Sequence, residues 1–145
     1  MRLGSLLTLG VLAAACAGPA QLTATVEATV STSAAVGGVV QLVVKVTNTG
    51  PLIPHLGLVF RSEDKWYERH QMTELGDCIV ATDSSAFDCG DLQPNETRTY
   101  SLSGVATTAG KFHYELALRQ LVRPFDYVND HRDGVDVHMW DETVK

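Results

Sequence analysis

Alternation of apolar and polar side chains constrains this chain more than any other feature. In residues 22–31, Leu22, Ala24, Val26, Ala28 and Val30 share one side, while Thr23, Thr25, Glu27, Thr29 and Ser31 take the other. Residues 40–47 repeat the pattern more strongly, with Val40, Leu42, Val44 and Val46 opposite Gln41, Lys45 and Thr47. Successive side chains point to opposite faces in an extended strand, so a period of two marks a strand with one face buried. The pattern recurs at Leu56, Leu58 and Phe60, and again at Tyr100 and Leu102 between Thr99 and Ser101. Further on, Phe112, Tyr114, Leu116 and Leu118 oppose Lys111, His113, Glu115 and Arg119. In the last strand Val135, Val137 and Met139 are expected inward, with Asp136, His138 and Trp140 outward.

Turn chemistry separates these segments. Gly37-Gly38, Asn48-Thr49-Gly50-Pro51, Leu92-Gln93-Pro94-Asn95 and Gly110 punctuate the chain. Glycine and asparagine tolerate left-handed backbone, which is expected at Asn95, and proline lacks a donor. The polar stretch 61–76 accommodates a short edge strand or one helical turn. No segment beyond the N-terminal leader sustains a helical period. About seven short strands with one apolar face each are satisfied by two antiparallel sheets packed face to face, an all-β sandwich. At 145 residues and 45% hydrophobic, the chain can bury roughly two-thirds of its unfolded surface around one core. The formal net charge is −6. An acidic chain is badly matched to a phosphate backbone, so nucleic-acid binding is excluded as an expectation.

The first residues read as an address. Arg2 is a minimal positive region, residues 3–15 are uncharged and rich in Leu, Ala and Gly, and Ala13-Ala14-Ala15 stand directly before Cys16. This run is short for a membrane span and suits a signal peptide. The small residues before a cysteine resemble a bacterial lipobox. That resemblance implies cleavage before Cys16 and acylation of its thiol, with Ala13 where leucine is usual. The expected organisation is therefore a lipoprotein signal peptide at 1–15, a lipidated Cys16 with a short tether at 16–21, and a sandwich domain at 22–145. Plain secretion after an Ala-x-Ala cut is the alternative. Either route is extracytoplasmic. With Cys16 acylated, Cys78 and Cys89 form an even pair suited to one disulfide in an oxidising compartment. Their spacing is far wider than the C-x₂₋₄-C of a thiolate metal site, and no histidine lies between them.

Candidate chemistry is sparse. Trp66 and Tyr67 in a polar stretch, and Trp140 on an expected outward position, form a possible binding surface for a protein or glycan. The segment 126–134 holds Asp126, Asn129, Asp130 and Asp133, weak calcium ligands because the strict register of a calcium loop is missing and Arg132 intervenes. His113 with His138, His70 with Met72, and His138 with Met139 offer the ligand types a transition metal accepts, but Met139 and His138 are expected on opposite faces. No metal or other cofactor is expected. No Gly-x-Ser-x-Gly, HExxH or lysine-bearing phosphate loop occurs, and no Ser, His and Asp spacing marks a triad. The expectation is a non-enzymatic module.

Residues 36–50, VGGVVQLVVKVTNTG, resemble the opening of the DUF11 and CARDB-like bacterial immunoglobulin-like domains. The paired cysteines running into Gly90-Asp91-Leu92, the Leu92-Gln93-Pro94-Asn95 turn, the alternation from Thr97 to Leu102, Ala109-Gly110 and the Asn129-Asp130 loop continue the resemblance in order. It covers roughly 100 residues by the strand-signal rule. It implies an extracytoplasmic immunoglobulin-like sandwich and carries no catalytic residue. Residues 53–77 are more polar than the corresponding stretch of those domains. The expected role is a membrane-anchored module that contacts an envelope protein, with glycan or calcium binding as the alternative.

Overall fold

Backbone pairing gathers the alternating segments into two sheets. The computed structural model describes residues 22–80, 86–123, 126–127 and 138–145. Among these, the strands in chain order are β1 (Ala24–Val30), β2 (Ser33–Ala34), β3 (Val39–Asn48) and β4 (Leu56–Phe60). After the single helical turn α1 (Trp66–Arg69) come β5 (His70–Glu74), β6 (Ile79–Val80), β7 (Ala86–Asp88), β8 (Thr97–Ala106), β9 (Gly110–Arg123), β10 (Asp126–Tyr127) and β11 (His138–Val144). Seven of them are five residues or longer, β1, β3, β4, β5, β8, β9 and β11; six of these fall on or overlap the alternating segments, and the seventh, β5, lies in the polar stretch 61–76. The other four are pieces of two or three residues, too short to carry a periodic signal.

One sheet has the order β1-β3-β8-β5, and the other runs β2-β11-β9-β4-β7-β6, with β10 on β9. All pairings are antiparallel except β2 with β11. The chain therefore leaves the first sheet after Val30 and joins the edge of the second at Ser33, so two consecutive short stretches hold both layers. The polar stretch 61–76 contains both structures its composition allowed, one helical turn and the edge strand β5.

The core lies between the layers. Val40, Leu42, Val44 and Val46 of β3, Tyr100 and Leu102 of β8, and Tyr114, Leu116 and Leu118 of β9 are all buried, on the faces that the alternation assigned. β4 departs from alternation, because all five of its residues are buried. It is central in its sheet, and its outer face is also covered: Val59 joins Ala86 and Leu121 in a second small cluster. Leu121 lies so close over Gly57 that a Cβ there would sit 2.8 Å from its Cδ2, so glycine is what lets the leucine pack down.

β11 corrects the predicted phase. Trp140 is buried at 7% exposure and Met139 is exposed at 58%, the reverse of the expectation. The sequence phase rested on Val135 and Val137, which lie outside the described residues. The described part of the strand turns Trp140, Glu142 and Val144 inward, and an indole buries far more apolar area than the thioether it displaces.

The two ends of the sandwich are closed differently. At the base, Thr49 N–H donates to Thr23 O (3.0 Å) and Asn95 N–H to Asn48 O (3.0 Å). Asn95 has φ of 61°, the left-handed turn residue that the sequence calls for. Buried Asn48 ties the base together. Its Nδ2 donates to the carbonyls of Pro51, Leu92 and Gln93, and its Oδ1 accepts from Gly50 N–H. At the tip, Val36 N–H donates to Lys145 O and Gly37 N–H to Ala106 O, both at 2.8 Å.

Candidate functional site

The aromatic residues expected to form a binding surface are part of the core. α1 turns Trp66 under the first sheet at 1% exposure, stacked on Phe60 at 6.3 Å between centroids and tilted against the His70 ring at 4.9 Å. Trp140 packs against Tyr114 at 5.3 Å and edge-on to Phe60 at 6.4 Å. Tyr67 is half-buried, edge-on to Phe60 and Phe87. A polar neighbourhood in sequence concealed this burial, because a single helical turn separates the inward Trp66 from its charged neighbours. Trp66 and Trp140 therefore do not form the exposed binding surface that the sequence suggested, and Tyr67 is only half-exposed beside them.

These rings surround a polar group that the sequence did not single out as a pair. His70 opens β5 on one sheet, and Glu142 lies on β11 of the other. Their side chains are both fully buried, with His70 Nε2 3.0 Å from Glu142 Oε2. The hydrogen bond runs to Oε1 at 3.3 Å, while the nearer Oε2 has no hydrogen-bond partner among the described residues. The other ring nitrogen, Nδ1, lies 2.6 Å from Trp66 O. A carbonyl only accepts, so Nδ1 carries a hydrogen and donates it. Tyr114 stands beside the carboxylate, and burial, followed by the Glu142 charge, pushes its phenol well above the usual tyrosine range. The buried Tyr114 hydroxyl and Trp140 Nε1 make no hydrogen bond among the described residues. Arg69 closes the rim, donating through Nη2 to Asp64 Oδ1 at 3.0 Å and lying over the Phe112 ring at 5.1 Å. A substrate cannot reach a pair sealed this completely. What the geometry can do is tie one sheet to the other.

A second histidine cluster lies outside. His113 Nδ1 is 2.8 Å from Asp141 Oδ1, its Nε2 is 3.7 Å from Glu115, and its backbone N–H points to Asp64 Oδ2 at 3.4 Å. The Asp141 hydrogen bond is the main cause that raises the His113 pKa above the usual histidine value. Shallow grooves flank the ring, one lined by Lys111, Asp141 and Thr143, the other by Ser62, Glu63 and Glu115. His113 does not meet His138. Its cross-strand partner is Asp141, three residues along β11 from His138 and so on the opposite face. His70 and Met72 do not form a ligand pair either, because both His70 nitrogens are committed. His138 and Met139 alternate faces, as expected. No group of three or more ligating side chains suited to a metal occurs among the described residues.

A third histidine braces the base. His55, at φ of 49°, lies with Nδ1 3.1 Å from the buried carboxylate of Asp88, whose other oxygen accepts from Gly90 N–H. Next to it, Cys78 and Cys89 are joined in a disulfide. It clamps the β6–β7 pair, in which Ile79 opposes Asp88 and Val80 opposes Phe87. Cys16 lies outside the described residues, as do Asn129, Asp130 and Asp133. Asp126 is described only as the start of β10, paired with Arg123.

No family model matches the chain, and no curated protein matches it by sequence. Among solved structures, it is similar to the CARDB domain of a Pyrococcus furiosus protein, determined in complex with di-metal ions. The TM-score is 0.50 at 13% identity, covering 86% of this chain and 90% of that one. The likeness lies in the fold, and the chain carries a CARDB-like, immunoglobulin-type β-sandwich.

Proposed function

We propose that the chain is a non-enzymatic extracytoplasmic module, held on a bacterial membrane by acylated Cys16, that works by contact with an envelope protein. The CARDB-like fold carries this reading, since it belongs with β-domains of the extracellular type. The disulfide agrees with an oxidising compartment, and the small residues before Cys16 supply the anchor. Two acyl chains hold a protein stably at a bilayer, at about 0.8 kcal/mol per buried CH₂. His70 and His55 are spent on bracing the fold, which supports contact over catalysis at those two rings. Fractionation tests the anchor. The intact chain should sediment with membranes and Cys16→Ala should appear in the soluble extracytoplasmic fraction, whereas equal membrane retention of both would refute lipidation.

A second reading is a cation-binding envelope module. The Pyrococcus furiosus domain was determined with di-metal ions, and Asp126, Asn129, Asp130 and Asp133 supply oxygen ligands here. A thermal melt that rises in millimolar calcium and falls back with chelator would favour it. An unchanged melt would remove it.

A further inference from the structure

We propose that the base of the sandwich rests on the lipid surface, with the Pro51-Leu52 turn as the contact and the tip directed away from the bilayer. This inference rests on the Cys16 anchor proposed above and adds to it an orientation.

The chain joins the described domain at the base. Thr23 O accepts from Thr49 N–H, and Thr23 packs against Gly50 so tightly that no side chain fits there. The six residues from Cys16 to the start of the domain extend over at most about 20 Å. β3 runs from Asn48 at the base to Val39 at the tip, a span of about 30 Å at the rise of a strand. A domain standing on its tip would put its first residue farther from the bilayer than the tether reaches. Covalent length alone therefore excludes tip-down contact.

The base also presents an apolar contact. Leu52 is 44% exposed, although both of its neighbours are fixed. The Pro51 carbonyl accepts from Asn48 Nδ2 at 2.8 Å, and Ile53 is buried and bridged to Leu92. The leucine is thus held outward on a rigid turn at the end where the tether arrives. Val36 and Val39, exposed at 52% and 66%, belong to the other end. The net charge of −6 makes attraction to anionic lipid the wrong source of contact, so the contact is apolar and should form on neutral phosphatidylcholine.

The test uses the full lipidated chain, oxidised at Cys78–Cys89, with Leu52→Cys or Val39→Cys carrying an environment-sensitive fluorophore, in phosphatidylcholine vesicles. A label at position 52 should shift its emission to the blue and be quenched by doxyl-labelled lipid. A label at position 39 should emit as in water and be quenched by iodide. Flotation with the vesicles but water-like emission at both positions would overturn the orientation alone, as would lipid quenching at position 39. A chain that fails to float with vesicles would overturn the anchor and this proposal with it.

Discussion

Two of the histidine–carboxylate pairs among the described residues have nearly the same length and opposite surroundings. His70 and Glu142 meet at 3.0 Å with both side chains at 0% exposure. His113 and Asp141 meet at 2.8 Å with side chains 52% and 83% exposed. The first pair joins β5 to β11 across the two sheets, and the second joins neighbouring strands that backbone hydrogen bonds already hold. Distance therefore does not rank the two pairs. In water a charge that loses its partner is solvated at once, while in the core it is left uncompensated. The buried pair is expected to matter to the fold, and the exposed one to the titration of a single ring.

The largest effect should come from Glu142→Ala, which strands His70 between layers and should cost about 3–5 kcal/mol in denaturant unfolding. Glu142→Gln keeps an acceptor near Nε2 and should cost less. If alanine there is tolerated like a surface change, the inter-sheet tie is not what the geometry indicates. Next, replacing Cys78 and Cys89 together by alanine opens a loop of eleven-residue separation and should cost about 2.8 kcal/mol by chain entropy, read as a lower denaturation midpoint. Asn48→Ala removes the donor shared by three base carbonyls and should cost about 1–3 kcal/mol. That result would show whether the Asn48 amide braces the base as the His70–Glu142 pair braces the interior.

The smallest effect belongs to Asp141→Asn. The folded His113 titrates above its ordinary value, with the Asp141 hydrogen bond as the leading cause. Any stability from that pair is fully present below the ordinary histidine value and is lost as pH rises through the raised one. NMR titration should show the His113 midpoint fall towards the ordinary value in Asp141→Asn, with no measurable change in the unfolding midpoint. A large loss of stability would erase the contrast between the two pairs.

Much of the fold was legible because strands with one wet face record it locally. Val40 to Val46 and Tyr114 to Leu118 face where alternation puts them, Asn95 takes the left-handed turn, and the two later cysteines join. What escaped depends on partners distant in sequence. Trp66 reads as exposed among Asp64, Lys65, Glu68 and Arg69, yet one helical turn buries it. Trp140 took its expected phase from upstream valines, whereas in the fold the inner layer it packs against decides. His70 and Glu142 are 72 residues apart, and neither has a local pattern that names the other. The one signal that could have exposed the pair is parity: Glu142 shares the strand face of Trp140 and Val144, so placing the indole inward would have placed a carboxylate inward with it and raised the question of its partner.

Double-mutant cycles on the two pairs test the central contrast most directly. With His70→Phe and Glu142→Gln singly and together, unfolding should show a coupling of roughly 0.5–3 kcal/mol. The same cycle with His113→Phe and Asp141→Asn should show none that can be measured. Negligible coupling between His70 and Glu142, or equal coupling in both cycles, would contradict the view that the buried pair holds the two sheets together.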